Sequence, residues 1–174
     1  MSYDSQTSTS LINKLRSDVD TLEQKIATLT DSKALGTNGG ASVLTTWTTR
    51  TLNTVHSDPY GLITSLSGNE FTVEAGEYQI RVISPYHSTE VTRTRLYDVT
   101  NGVVIGYSVS SYVFNQTYVY LYQTERIEPH KTNTYRLEYY CGKAVADGLG
   151  IATSVGDTEL YTVLDVINLR ISPE

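Results

Sequence analysis

From Ile12 to Leu29 the apolar residues recur at alternating spacings of three and four: Ile12, Leu15, Val19, Leu22, Ile26 and Leu29. A stripe of period 3.5, with β-branched residues at a and leucine at d, is buried only when two or more helices wrap one another. The spacing therefore predicts a coiled-coil helix over 11–32, about 30 Å long at 1.5 Å per residue. Ser8 or Ser10 is placed to cap it. The other reading of the pattern is an amphipathic helix folded back on the rest of the chain, but that calls for a broader face of period 3.6. The ten residues before the helix, MSYDSQTSTS, hold little to bury and read as a flexible arm over 1–10.

After the helix the pattern changes. Gly36, Gly39 and Gly40 mark a flexible joint over 33–42. From Val43 onward, strand patterns rich in Thr, Tyr, Val and Ile recur between turn residues such as Asp58-Pro59, Ser67-Gly68-Asn69 and Asn101-Gly102. Strands are expected at 43–48, 50–55, 70–74, 77–85, 91–99, 103–109, 117–126, 133–141 and 159–171. That many antiparallel strands in one unit, spanning 43–174, predict a mainly β fold, an antiparallel jelly-roll sandwich.

The chain holds 14 Tyr against 2 Phe and 1 Trp. Tyr118, Tyr120 and Tyr122 fall on one face of a strand whose other face carries Val119 and Leu121. A sandwich buries one face of each strand, so the tyrosine face belongs to a subunit interface, or else forms an exposed ladder. With the heptad residues, these three tyrosines are the expected oligomer interface.

The net charge is −6 and Lys and Arg are not clustered, which speaks against nucleic-acid binding. No apolar run approaches membrane-spanning length and the first ten residues hold no signal-like apolar core, so assembly in a cytoplasm is expected. Cys141 alternates with Tyr135, Leu137 and Tyr139 and should be an inward structural thiol. His56, His87 and His130 share no ligand motif and read as surface or turn residues. Asp147, Asp157 and Glu159 lack the dense spacing of a calcium loop, and Asn115-Gln116-Thr117 should remain unglycosylated without secretion. There is no G-x-S-x-G elbow. No enzyme, cofactor or metal is expected.

One succession of segments is familiar. It runs from Trp47-Thr48-Thr49-Arg50-Thr51-Leu52-Asn53 through Phe71-Thr72-Val73-Glu74-Ala75-Gly76-Glu77-Tyr78 to Arg93-Thr94-Arg95-Leu96-Tyr97-Asp98. It continues with Tyr135-Arg136-Leu137-Glu138-Tyr139 and Gly148-Leu149-Gly150, and closes with Glu159-Leu160-Tyr161-Thr162-Val163 running into Ile167-Asn168-Leu169. Over about 43–171 this order resembles the tumour-necrosis-factor/complement-like jelly-roll heads of bacteriophage structural proteins: capsid decoration proteins, head fibres and tail-fibre tips. The resemblance implies a homotrimer around a threefold axis, a three-stranded stalk and no catalytic residues. It implies a virion-surface protein bound to a major capsid or other virion protein through the arm Met1, Ser2, Tyr3, Asp4, Ser5 and Gln6. The alternative is a receptor-binding tip that grips a host surface glycan. Residues 103–117 and 142–147 have no counterpart in the resemblance.

Overall fold

The heptad stripe does not stay helical to its end. In a computed structural model that describes residues 5–22, 25–114 and 118–169, the helix α1 spans Ser5–Leu22 and the strand β1 spans Ile26–Ala34. Ile26 and Leu29 are therefore not part of a stalk, and the head begins at Ile26 rather than at residue 43. Leu29 is fully buried opposite Leu164. The physical reason lies in the same residues: Ile26, Thr28 and Thr30 are β-branched and alternate with Ala27 and Leu29, a period of two. A neighbouring strand on each side satisfies this segment more fully than one further turn of a short coil.

The joint expected over 33–42 is also corrected. Lys33 and Ala34 close β1, and the glycine run then crosses the head in contact with it. Gly39 N–H donates to Gly150 O at 2.9 Å, Leu149 N–H to Gly40 O at 3.0 Å, and Ser42 Oγ to Lys143 O at 2.8 Å. A side chain at Gly39 would meet Leu149 O at 2.5 Å, so glycine serves close approach here, not mobility.

The remaining strands are β2 (Thr48–Thr49), β3 (Thr54–Ser57), β4 (Ile63–Ser67), β5 (Glu70–Val73), β6 (Tyr78–His87), β7 (Glu90–Asp98), β8 (Val103–Tyr107), β9 (Ser111–Val113), β10 (Tyr118–Ile127), β11 (Asn133–Cys141) and β12 (Thr158–Asn168). The pattern of 43–48 shortens to β2, and β1, β4 and β9 were not expected. One sheet has the order β10-β6-β12-β1-β3; the other runs β4-β5-β11-β7-β8, with β2 beside β11 and β9 beside β7. All these strand pairings are antiparallel. The fold is an antiparallel sandwich preceded by one helix.

Ala27, Leu29, Phe71, Val73, Ile80, Val82, Leu96, Leu137, Leu164 and Val166 fill the space between the sheets. A second cluster of Tyr86, Val113, Tyr139, Cys141 and Leu149 extends the core toward the other end. Cys141 is fully buried, as its strand register requires, and burial pushes its thiol up to about 11.

The helix is the exception to this packing. Leu11, Ile12 and Leu15 lie 60%, 49% and 56% exposed on one stripe, and among the described residues α1 has no substantial packing on any strand of the head. Within Ser5–Leu22 its first turn holds no acid and its last turn no base. Ser5 and Gln6 belong to the helix, not to a flexible arm. Met1, Ser2, Tyr3 and Asp4, and the sequon Asn115–Thr117, lie outside the described residues. For Val19, Leu22, Tyr118, Tyr120 and Tyr122 only the backbone position is described.

A candidate assembly face

Strand register builds the outer face of the five-stranded sheet row by row. Tyr122 pairs with Ile83, Ile83 with Val163, and Val163 with Thr30. The next row is Thr124, Arg81, Asp165 and Thr28. Directly paired residues share a face, and the core-facing set is Ile80, Val82, Leu164 and Val166, so these rows lie on the opposite side. The positions of Tyr120 and Tyr118 continue the face opposite Pro85 and His87.

This face is apolar with one polar row. Ile83 is 41% exposed and Val163 is half-buried beside it. In the polar row Thr28 Oγ1 donates to Asp165 Oδ1 at 2.8 Å, and Arg81 Nη2 lies 3.4 Å from Asp165 Oδ2. Arg81 Nε is buried and has no hydrogen-bond partner among the described residues. A half-exposed ion pair contributes little to the stability of a single chain, but it can fix register once a partner covers it.

A second apolar patch lies at the edge of the other sheet. Val109, Tyr112 and Phe114 are 64%, 59% and 61% exposed, and the Tyr112 and Phe114 rings stack with centroids 6.3 Å apart. Exposed aromatics grouped in this way mark contact surfaces. The outer face of the seven-stranded sheet is different, because its groups satisfy one another. Arg95 lies 4.2 Å from the Trp47 ring centroid and 5.6 Å from that of Tyr97, and Arg136 lies 4.8 Å from Tyr97. Glu138 bridges both arginines.

The loops at the end of the head opposite α1 are held by two buried charged groups: Arg50, to which the sequence reading gave no role, and Glu159, which it weighed only as a calcium ligand. Arg50 is fully buried at the start of the β2–β3 connection. Its Nε donates to Thr162 Oγ1 at 2.7 Å and its Nη2 to the carbonyls of Pro85 and Leu149, each at 3.0 Å. Its guanidinium lies 4.7 Å from the Tyr86 ring centroid, and Nη1 has no hydrogen-bond partner among the described residues. Glu159 accepts from the N–H groups of Gly36, Thr153 and Ser154 at 3.1, 3.1 and 2.8 Å and from Thr153 Oγ1 at 3.2 Å. Burial opposes its charge, but these donors outweigh it and hold the carboxyl below its ordinary range. Glu159 is thus a loop clamp. Asp31 behaves oppositely: buried, with Lys33 Nζ 3.0 Å away, its carboxyl is raised by desolvation despite Lys33 and Arg50. No spacing rule in the sequence marks any of the three.

The histidines divide. His56 and His130 are exposed, as expected, whereas His87 is buried at the end of β6, a correction. Its Nδ1 lies 3.2 Å from Asp147 Oδ1 and its Nε2 3.3 Å from Ser88 Oγ. The line Asp-His-Ser has the order of a hydrolytic triad, but Ser88 stands in the two-residue β6–β7 turn, next in the chain to the buried His87. The arrangement ties this turn to the loop before β12, as does the bond from His87 N–H to Gly148 O at 3.0 Å. Among the described residues no three His, Cys, Asp or Glu gather as a metal site, and no helix is long and apolar enough to cross a membrane.

No protein-family model matches the chain, and no curated protein matches it in sequence. Solved structures do match it in shape. Murine APRIL at pH 5.0 is 13% identical with a TM-score of 0.57, covering 84% of this chain and 100% of the other. The globular domain of zebrafish complement 1qA is 11% identical with a TM-score of 0.55, covering 84% and 98%. Eiger TNF from S. frugiperda is 9% identical with a TM-score of 0.54, covering 87% and 96%. At these identities the likeness establishes the fold, the jelly roll of the tumour-necrosis-factor and complement 1q heads.

Proposed function

We propose that the chain is a non-enzymatic structural protein that assembles as a homotrimer, and that it serves on a virion surface as a bacteriophage capsid decoration protein or head fibre, fastened through its N-terminal region. The observation that carries the assembly is a pair of exposed apolar patches on different surfaces: Ile83 and Val163 on the five-stranded sheet, and Val109, Tyr112 and Phe114 at the edge of the other. A patch on one copy that meets a different patch on the next forms a heterologous contact, which closes into a ring when the rotation permits. The uncovered Leu11, Ile12 and Leu15 stripe on α1 adds a second contact, which three copies can share at the axis. The virion reading rests on the ordered segments from Trp47 to Val163. A short helix in front of the head suits attachment close to a shell, since three gathered arms gain effective concentration.

Light scattering should give about three times 19.3 kDa, and Ile83→Asp should lower that mass by placing a charge inside the contact. A monomer or dimer mass at micromolar concentration would overturn the trimer. Removal of residues 2–22 should leave a folded head that no longer binds capsids lacking the protein. If this truncated chain still binds capsids, the helix is not the anchor. If it binds host cells and blocks infection, it is a receptor tip instead.

A further inference from the structure

The outer face of the seven-stranded sheet carries one guanidinium that its neighbours do not neutralise. On β7, Arg93, Arg95 and Tyr97 alternate with the buried Thr92, Thr94 and Leu96, so they share the solvent side. Across from them on β11 stand Tyr140, Glu138 and Arg136 in that order, and Tyr107 of β8 pairs with Arg95 from the other side. Trp47, the only tryptophan of the chain, reaches over this surface from just before β2. Its ring centroid is 4.2 Å from the Arg95 guanidinium, 5.8 Å from the Tyr107 ring and 5.7 Å from the Tyr140 ring, so the indole bridges β11 and β8 above β7. A ring seated on a guanidinium rooted in the sheet turns its other face outward, and Trp47 is only half-buried.

Two of the three arginines are accounted for within the face. Glu138, 4% exposed, accepts from Arg95 Nε and Arg136 Nε, and Glu70 meets Arg136 Nη1 at 3.2 Å. Arg93 is different. Its Nε donates to the Ser108 carbonyl at 3.1 Å and its guanidinium lies 4.4 Å from the Tyr107 ring centroid, but it has no carboxylate partner among the described residues. These side chains thus hold one positive charge in excess, in a chain of net charge −6. On either side of Arg93 the surface is apolar and open: Val91 is 47% exposed and Tyr107 43%.

We infer that this face binds an acidic segment of another protein, with a carboxylate of the segment on the Arg93 guanidinium and its aromatic or aliphatic side chains against Val91, Tyr107 and the outward face of Trp47. The Tyr107 ring and the Ser108 carbonyl already hold the guanidinium in place. Less side-chain entropy is therefore lost when its terminal nitrogens grip a carboxylate in the forked geometry that arginine favours. Trp, Tyr and Arg are the residues that carry most contact energy between proteins. The side chains come from three adjacent strands and form a sheet surface, which suits a polypeptide laid across it more than a small enclosed ligand. This face lies on the other side of the sandwich from Ile83 and Val163, so the inference goes beyond the assembly reading and does not depend on it.

The test is titration of the full chain with a random copolymer of glutamate and tyrosine, with polyglutamate, and with alginate, a polymer of uronic acids. Emission from the sole tryptophan, excited beyond the tyrosine absorption, reports on this face directly. Saturable binding of the copolymer with a shift of Trp47 emission is expected, with polyglutamate weaker and alginate weaker still. Arg93→Gln should weaken the copolymer about five- to tenfold, the effect of one charge-assisted contact, and leave the assembled mass unchanged. Tyr107→Ala should weaken it as well, and decides alone if Arg93→Gln does not fold by circular dichroism. Absence of saturable binding, binding that neither variant weakens, or polyglutamate binding as tightly as the copolymer would overturn the inference. So would tighter binding of alginate, which would give the face to an acidic glycan, or a lower assembled mass in Arg93→Gln, which would make it a subunit contact.

Discussion

Arg50 Nε donates to Thr162 Oγ1 at 2.7 Å across 112 residues of sequence, and both side chains are fully buried. This bond joins the chain just after β2 to the middle of β12, and the same guanidinium holds the carbonyls of Pro85 and Leu149. One side chain thus ties four separate segments at the end of the core where Tyr86 and Tyr139 lie.

Removal of that side chain should be costly. Arg50→Ala leaves two buried carbonyls and a hydroxyl without donors and opens a void beside Tyr86. The expected loss is about 3–5 kcal/mol in urea unfolding. Arg50→Met, which fills the space, should lose less. A variant Arg50→Ala within 1 kcal/mol of the native chain, roughly the effect of a surface change, would refute this role.

Two leucines of the same heptad stripe should separate cleanly. Leu29→Ala empties a site in the core between β12 and β3 and should cost about 2–5 kcal/mol of head stability. Leu15→Ala, on the exposed helix, should leave the unfolding of the head unchanged and act only on the assembled mass. Equal effects of the two on unfolding would return Leu29 to the stalk.

The two buried carboxylates, Asp31 in β1 and Glu159 in β12, should give opposite pH slopes. Glu159 is held below its ordinary value, so its contribution is present above the unfolded pKa of 4.5 and is lost as pH falls through the lowered folded value. Glu159→Gln should therefore destabilise at neutral pH, with faster amide exchange at Gly36, Thr153 and Ser154. Asp31 is raised, so its ionisation opposes folding above 3.8. Asp31→Asn should stabilise at neutral pH, with a gain that shrinks in acid. Parallel pH profiles for both variants and the native chain would show that neither group is linked to folding.

Burial also predicts behaviour in alkali. Tyr135 is pushed up to about 12 from 10.0 and Cys141 to about 11, each first by desolvation. Both are neutral and favourable below their unfolded values, and that stability is lost as pH rises through the folded ones. An alkaline unfolding transition is expected between about pH 9 and 12, from the unfolded value of the thiol to the folded value of the phenol. At neutral pH Cys141 should resist alkylation until the head opens. Rapid labelling of the folded protein would place the thiol on the wrong face of β11.

Strand patterning was legible where residues alternate and turns punctuate, as in Tyr78-Gln79-Ile80-Arg81-Val82 and in Tyr135-Arg136-Leu137-Glu138-Tyr139, and these stretches became β6 and β11. β9 is three residues long and β4 carries serine and threonine on both faces, so neither offers a period to read. The Arg50 tie could not be seen in sequence either. Its partners lie 35 to 112 residues away and carry no local motif.

The sequence by itself determined that this is a β sandwich with an N-terminal helix, because alternation and turn chemistry are local and act within a few residues. It could not decide where the helix stops. Ile26 and Leu29 satisfy a spacing of three and four, while Ile26, Thr28 and Thr30 satisfy a spacing of two, and both patterns occupy the same five residues. Only the tertiary structure chose between them. β12 on one side and β3 on the other complete the backbone hydrogen bonds of β1 and seal Leu29 against Leu164, a gain that a few more residues of helix in water do not match.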